Sequence, residues 1–192
     1  MRRNNSMRYA GYDYTAPGAY FVTICAEQGR PVFGQVVDGV MQLNSLGEIA
    51  QACWQAFARK HAPTITVLAV CVMPNHVHAL LVFAEVMSSA NGPDPVVRRF
   101  GQPIAGSLSS LVGAYKAEVS RQAKQHGLIP GGSLWQRNFW DRIVRDEGEL
   151  ETVRAYIESN PTRWLEDQLH PKAAPNKFNR TWRDAGGRGM NE

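Results

Sequence analysis

ITVLAVC (residues 65–71), the break Met73-Pro74-Asn75 and HVHALLVF (residues 76–83) are two apolar runs of strand length on either side of a proline. The first run is near-continuous, as a buried strand requires, and so short a break predicts that the two strands are antiparallel neighbours. Residues two apart in a strand share a face. His76 and His78 therefore present two imidazoles side by side, with Val77 turned the other way. Two neutral imidazoles spaced in that way can chelate one cation. On spacing alone, a pair of satisfied polar residues on a half-exposed strand is the more frequent explanation.

Upstream, AYFVTIC (residues 19–25) is rich in β-branched and aromatic residues and reads as a strand. Phe33 to Leu43 reads as a hairpin about Asp38-Gly39. Asn44 or Ser45 caps a helix in which Leu46, Ile49, Ala50, Cys53, Trp54 and Phe57 recur at helical spacing as far as Lys60. Downstream, residues 84–103 hold Gly92, Pro93, Pro95, Gly101 and Pro103 and read as a loop. Leu108, Leu111, Val112, Tyr115 and Val119 mark a long helix ending at His126-Gly127, with Lys116, Arg121 and Lys124 on a wet face. Leu134 to Ile143 reads as a short aromatic strand. Asp146 and Glu149 form a capping pattern for a helix through Ser159, and Pro161 ends it or begins another turn. This order of elements predicts an α+β fold, a sheet with helices on one face. The expected division is a basic arm over residues 1–18, one domain over 19–170 and a basic flexible tail over 171–192.

Composition narrows the classes. A hydrophobic fraction of 44% in 192 residues supports a real core, and a net charge of +4 permits a nucleic-acid partner without requiring one. Cys25, Cys53 and Cys71 lie apart in apolar runs with no CxxC, which fits buried thiols in a reducing cytoplasm. The basic N-terminus has no apolar stretch of the kind that directs secretion, and no apolar run reaches the roughly 20 residues of a membrane span.

Two further segments carry candidate chemistry. In YIESN (residues 156–160) Tyr156 and Asn160 are one helical turn apart, so a hydroxyl and an amide oxygen share a face. Taken alone, an ordinary aromatic and an ordinary helix-terminal asparagine satisfy that spacing. In LWQRNFWDR (residues 134–142) aromatics alternate with arginines, a pattern suited to stacking on bases and touching phosphates of a single strand. A strand at the core edge with solvated charges meets the same description.

Taken in order, MPNHVHALL, LWQRNFWDRIVRDEGEL and YIESNP resemble the bacterial HUH single-strand transposases with one catalytic tyrosine, and within them the REP-associated tyrosine transposases. YDYTAPGAYFVTIC and LNSLG add to the resemblance, which spans roughly residues 8–165. The resemblance implies a ferredoxin-like antiparallel sheet carrying the HUH pair at its centre. It implies His76 and His78 as ligands of a divalent ion, Mg²⁺ or Mn²⁺, Asn160 as a third ligand, and Tyr156 as a nucleophile forming a 5′-phosphotyrosine link. The substrate implied is single-stranded or hairpin DNA, contacted by Trp135, Gln136, Arg137, Phe139, Trp140 and Arg142, in a cytoplasmic, nucleoid-associated protein that needs no membrane. Relatives often carry histidine where Arg142 stands. Both a monomer and a homodimer fit, and the alternative is a domesticated hairpin-binding protein without transposition. Tyrosine ionises near pH 10, so a phenolate at pH 7 costs on the order of 4 kcal/mol unless a cation offsets it. Tyr115 also lies on a helix, but Val119 stands where a polar partner would be needed.

Overall fold

A computed structural model of the chain describes residues 16–61, 63–84, 107–129 and 132–179. The elements are β1 (Gly18–Cys25), β2 (Gly34–Val37), β3 (Val40–Leu43), α1 (Ser45–His61), β4 (Ile65–Val72), β5 (His76–Phe83), α2 (Leu108–Gln125), β6 (Trp140–Val144) and α3 (Glu147–Ser159). Short 3-10 segments lie at Glu27–Gly29 and Pro161–Glu166. Most of the arm, the loop after β5 and the end of the tail lie outside the described residues.

Four strands form one antiparallel sheet in the order β4-β5-β1-β6, and β2 and β3 form a separate hairpin. Without the hairpin, the chain runs βαββαβ with the two central strands β5 and β1 side by side, which is the ferredoxin-like arrangement. The hairpin turn follows its chemistry: Asp38 and Gly39 both take positive φ, at 51° and 75°. Asn44 caps α1, its Oδ1 accepting from the N–H groups of Leu46 and Gly47 at 3.0 Å each. Asp146 caps α3 through the Glu149 N–H at 2.8 Å, and Glu149 returns a carboxylate oxygen to the Arg145 N–H at 2.8 Å.

The expectation of helices on one face is corrected. α1 and α2 cover one face, over Tyr20, Val22 and Ile24 of β1 and Val77, Ala79, Leu81 and Phe83 of β5. α3 covers part of the other, where Val153 and Ile157 bury Leu80 and Val144, with Phe21 beside them. The reason lies in β5, which is apolar on both faces beyond His78 and so needs cover on both. Each such aliphatic side chain removed from water contributes about 1.5–3 kcal/mol. A bulge between Val67 and Ala69 in β4 resets the strand's alternation. Ile65 and Val67 thereby pack into the large core while Ala69 and Cys71 face α3.

The last strand begins later than its sequence suggests. Residues 134–139 are irregular, joined to the end of β1 by an isolated bridge between Ala26 and Trp135 and by the Gln136 N–H donating to Cys25 O at 3.0 Å. Asn138 has φ 63°, and the Lys116 ammonium donates to the carbonyls of Gln136, at 2.9 Å, and Asn138. Lys116 is therefore a staple between α2 and this segment rather than part of a wet face. Burial pushes its ammonium down to about 8, against the opposing pull of Cys25 and Glu27. Residues 171–179 form turns, with Asn179 buried and the Phe178 ring 4.7 Å from that of Trp140. Among the described residues, no helix is long and apolar enough to cross a membrane.

Candidate functional site

The face of the sheet that α3 only partly covers gathers the polar residues. In the β1–β5 register Thr23 lies opposite His78 and Phe21 opposite Leu80, and in β1–β6 Trp140 lies opposite Thr23 and Arg142 opposite Phe21. Directly opposed residues share a face, so His78, Thr23, Phe21, Trp140 and Arg142 all belong to the α3 side.

His76 and His78 are buried, with their Nε2 atoms 3.0 Å apart. The proton on His76 can be placed from its neighbour. Asn75, also buried, spends its amide N–H groups on the carbonyls of Gly29, at 3.1 Å, and Leu169, at 2.7 Å. Its Oδ1 is left to accept, and it sits 2.8 Å from His76 Nδ1. His76 Nδ1 must then be the donor, which leaves a lone pair on Nε2 facing His78. Thr23 Oγ1 lies 2.9 Å from His78 Nδ1 and can hold that ring in the same way. Burial pushes the His76 imidazole down to about 3. Burial and the neighbouring His76 hold His78 well below its ordinary value, against the opposing pull of Asp167 and a backbone hydrogen bond at Val22. Both rings are neutral at neutral pH, the form in which imidazole binds a metal.

The helix that follows brings Tyr156 over this pair. Its ring centroid is 5.5 Å from that of His78 and 6.0 Å from that of Phe21, and 39% of the residue is exposed. Partial burial and the Asp167 carboxylate push its phenol up to about 12, with a hydrogen bond to Asn160 and the Arg163 guanidinium opposing the rise. One turn on, Asn160 is buried, and its Nδ2 donates to Asp167 Oδ2 at 3.0 Å. The Asn160 Oδ1 is also buried and has no partner. His76, His78 and Asp167 each offer one ligand atom, all within 4.8 Å of one another, so the cluster could hold a metal ion. Trp164, in the 3-10 segment, closes the far side with its ring 6.0 Å from that of His76. The donor set fits a divalent cation: two neutral imidazoles, a carboxylate, and an orphaned buried amide oxygen.

The other sequence candidates divide. Trp135 is corrected: it is 5% exposed in the core, stacked near Phe33 and Tyr115, and its indole donates to Lys116 O at 3.1 Å, so its ring is not available to bases. Phe139 packs against the same core. Gln136 is half-buried in the stapled segment, while Arg137 is exposed. Trp140 is half-buried, and Arg142 is exposed and paired with Glu149 of α3. Tyr115 is buried in the core, donating to Ala50 O at 3.1 Å, with its ring 4.3 Å from that of Trp54. It lies on the α1/α2 side, away from the histidines. Asp167, Asn75 and Thr23 were not foreseen. Asn75 stood within the MPNHVH block, where an asparagine next to a candidate ligand is a natural orienting group.

No known protein-family model matches the chain. It is 31% identical over 173 residues to an uncharacterised protein of Haemophilus influenzae, covering 88% of this chain and 94% of that one. It is 26% identical over 151 residues to a protein of the same species named "Putative REP-associated tyrosine transposase", covering 79% of this chain and 74% of that one. A solved structure of a REP-associated tyrosine transposase bound to a REP hairpin shares the fold, with a TM-score of 0.54, over 97% of this chain and 89% of that one, at 17% identity.

Proposed function

We propose that the chain is a REP-associated tyrosine transposase, as its relative at 26% identity is named, and that it cleaves and rejoins single-stranded or hairpin DNA with Tyr156 as nucleophile. The observation that carries the reading is the approach of Tyr156 to His78 within one chain, on the sheet face that bears both imidazoles. In this reading a single protomer supplies both halves of the site.

His76 and His78 would hold a divalent ion, Mg²⁺ or Mn²⁺, with Asn160 as the third donor that the family resemblance implies. When bound, the ion supplies polarisation of a phosphate and positive charge that offsets a phenolate. The chain's own residues do the rest. Asn75 and Thr23 fix the ring orientations. Tyr156 is a neutral phenol at neutral pH, and the residue is partly exposed. Attack by the phenol oxygen forms an O–P bond and breaks the bond from phosphorus to the 3′ oxygen. The phenol proton is lost, and the 3′ oxygen takes up a proton to leave as a free hydroxyl. Because the phosphodiester is exchanged rather than hydrolysed, a second 3′-OH can reverse or redirect the step without ATP. Arg142 and Arg163, both exposed, are suited to phosphate contacts, with the half-buried Trp140 and the exposed Arg137 as further candidates.

The test is a 3′-labelled hairpin oligonucleotide, whose label stays on the fragment joined to the tyrosine, incubated with the chain and Mn²⁺ and resolved under denaturing conditions. The expected result is a covalent protein–DNA band that EDTA and Tyr156→Phe both abolish. Cleavage that persists in Tyr156→Phe would mean hydrolysis by water, and hairpin binding with neither band nor cleavage would mean a binding protein without the reaction.

A further inference from the structure

Asp167 is a buried carboxylate whose immediate partners are neutral. Its Oδ1 accepts from the Leu169 N–H at 2.6 Å and its Oδ2 from Asn160 Nδ2 at 3.0 Å. Among the described residues, the ion pairs join Arg121 to Glu118, Arg142 to Glu149, Arg154 to Glu158 and Arg163 to Glu166, and none involves Asp167. Burial raises the Tyr156 phenol and the Cys71 thiol, and the neighbouring Asp167 carboxylate adds to both rises. A buried anion without a counter-charge is costly, and nature retains one where a cation sits against it. The ring nitrogens of His76 and His78 lie within 4.8 Å of an Asp167 oxygen, so the three side chains converge on one point.

We propose that Asp167 is the anionic donor of the site, binding the divalent ion together with His76 and His78, and that the Asn160 amide holds its carboxylate in place. The proposal rests on the reading above that the two histidines hold a divalent ion. It changes the character of the site. Two imidazoles and an amide carry no charge and discriminate poorly among divalent ions. A carboxylate adds a hard, negative oxygen, which suits Mg²⁺ and Mn²⁺ and leaves positions for a phosphate oxygen and water. It also assigns Asn160 a positioning function through its N–H, independent of whatever its carbonyl oxygen does.

Two measurements test it on the full chain without DNA. In calorimetric titration with MnCl₂, Asp167→Asn is expected to lose more affinity than Thr23→Val, which removes only the partner that orients the His78 ring, because removing an orienting partner costs about 10–100-fold and removing a charged donor costs more. An equal or smaller loss in Asp167→Asn overturns the proposal. Crystals of the unsubstituted chain soaked in MnCl₂ make the test independent of any folding defect in the variants. The expected anomalous peak lies between the two Nε2 atoms with an Asp167 oxygen at about 2.0–2.2 Å. An ion at the imidazoles with Asp167 beyond bonding distance overturns this proposal alone. No ion at the imidazoles overturns the metal reading of the histidines and this proposal with it.

Discussion

The two faces of the central strands β1 and β5 are built from alternate residues of the same sequence and have opposite characters. Toward α1 and α2, Tyr20, Val22, Ile24, Val77, Ala79 and Leu81 meet a closed core in which Trp54 stacks on Tyr115 and Trp135 packs beside it at a tilt. Toward α3, Phe21, Thr23, His76 and His78 meet a short helix that covers only the end of the sheet bearing Leu80. Each face has a helical tyrosine. Tyr115 is 0% exposed and committed to the Ala50 carbonyl, whereas Tyr156 is 39% exposed and lies against His78. Burial separates the two phenols, one locked in the core and one partly open to solvent.

Substitutions can break that contrast, beginning with the closed face. Trp54→Ala removes the largest fully buried side chain, and is expected to cost about 3–5 kcal/mol in chemical denaturation. A loss under about 1 kcal/mol would show that the α1/α2 face is not the main core. The open face should reveal itself by acid. His76, held at about 3, and His78, also lowered, stay neutral in the folded chain while their unfolded counterparts gain protons below about pH 6.5. The unfolded state then binds more protons, so the metal-free chain should lose stability as pH falls from about 6.5 toward 3. The stretch from about 6.5 to 5 is diagnostic, since carboxylates ionise lower. A flat profile of unfolding free energy there, measured in EDTA, would contradict the burial of the pair.

The tyrosines sharpen the comparison on a smaller scale. Tyr115→Phe removes a buried hydrogen bond to a helical carbonyl and should cost about 1 kcal/mol, while Tyr156→Phe should leave the melting curve nearly unchanged. Equal costs would erase the distinction between the faces. Smallest of all, Arg142→Ala should alter stability by less than about 0.5 kcal/mol, its pair with Glu149 being exposed. It should nonetheless weaken DNA binding and lower the salt slope by about one; an unchanged slope would remove Arg142 from the DNA surface.

Periodicity made much of this legible. The alternation in HVHALLVF put two imidazoles on one face, Asp38-Gly39 marked a hairpin, and Asp146 with Glu149 marked the start of the tyrosine helix. What stayed hidden depended on contacts between distant segments. Nothing local distinguishes Trp135, a core residue, from Trp140, at the rim: both are tryptophans in one aromatic run, and only the bridge of Ala26 to Trp135 turns the first inward. Asp167 follows Asn160 across a 3-10 segment with a non-helical Arg163, so no helical spacing connects it to Tyr156. The placement of α3 opposite the other helices stayed hidden because the smaller apolar cluster it covers, Leu80, Val144, Val153 and Ile157, is assembled from three separate segments.

The most direct test of the account is the position of the covalent link. After reaction with hairpin DNA and Mn²⁺ and nuclease trimming, trypsin should release Ala155–Arg163, whose single tyrosine is Tyr156. Mass spectrometry is predicted to find the nucleotide adduct on that peptide, joined through a 5′ phosphate. An adduct on Tyr115 or any other residue, or cleaved DNA with no adduct at all, would contradict it.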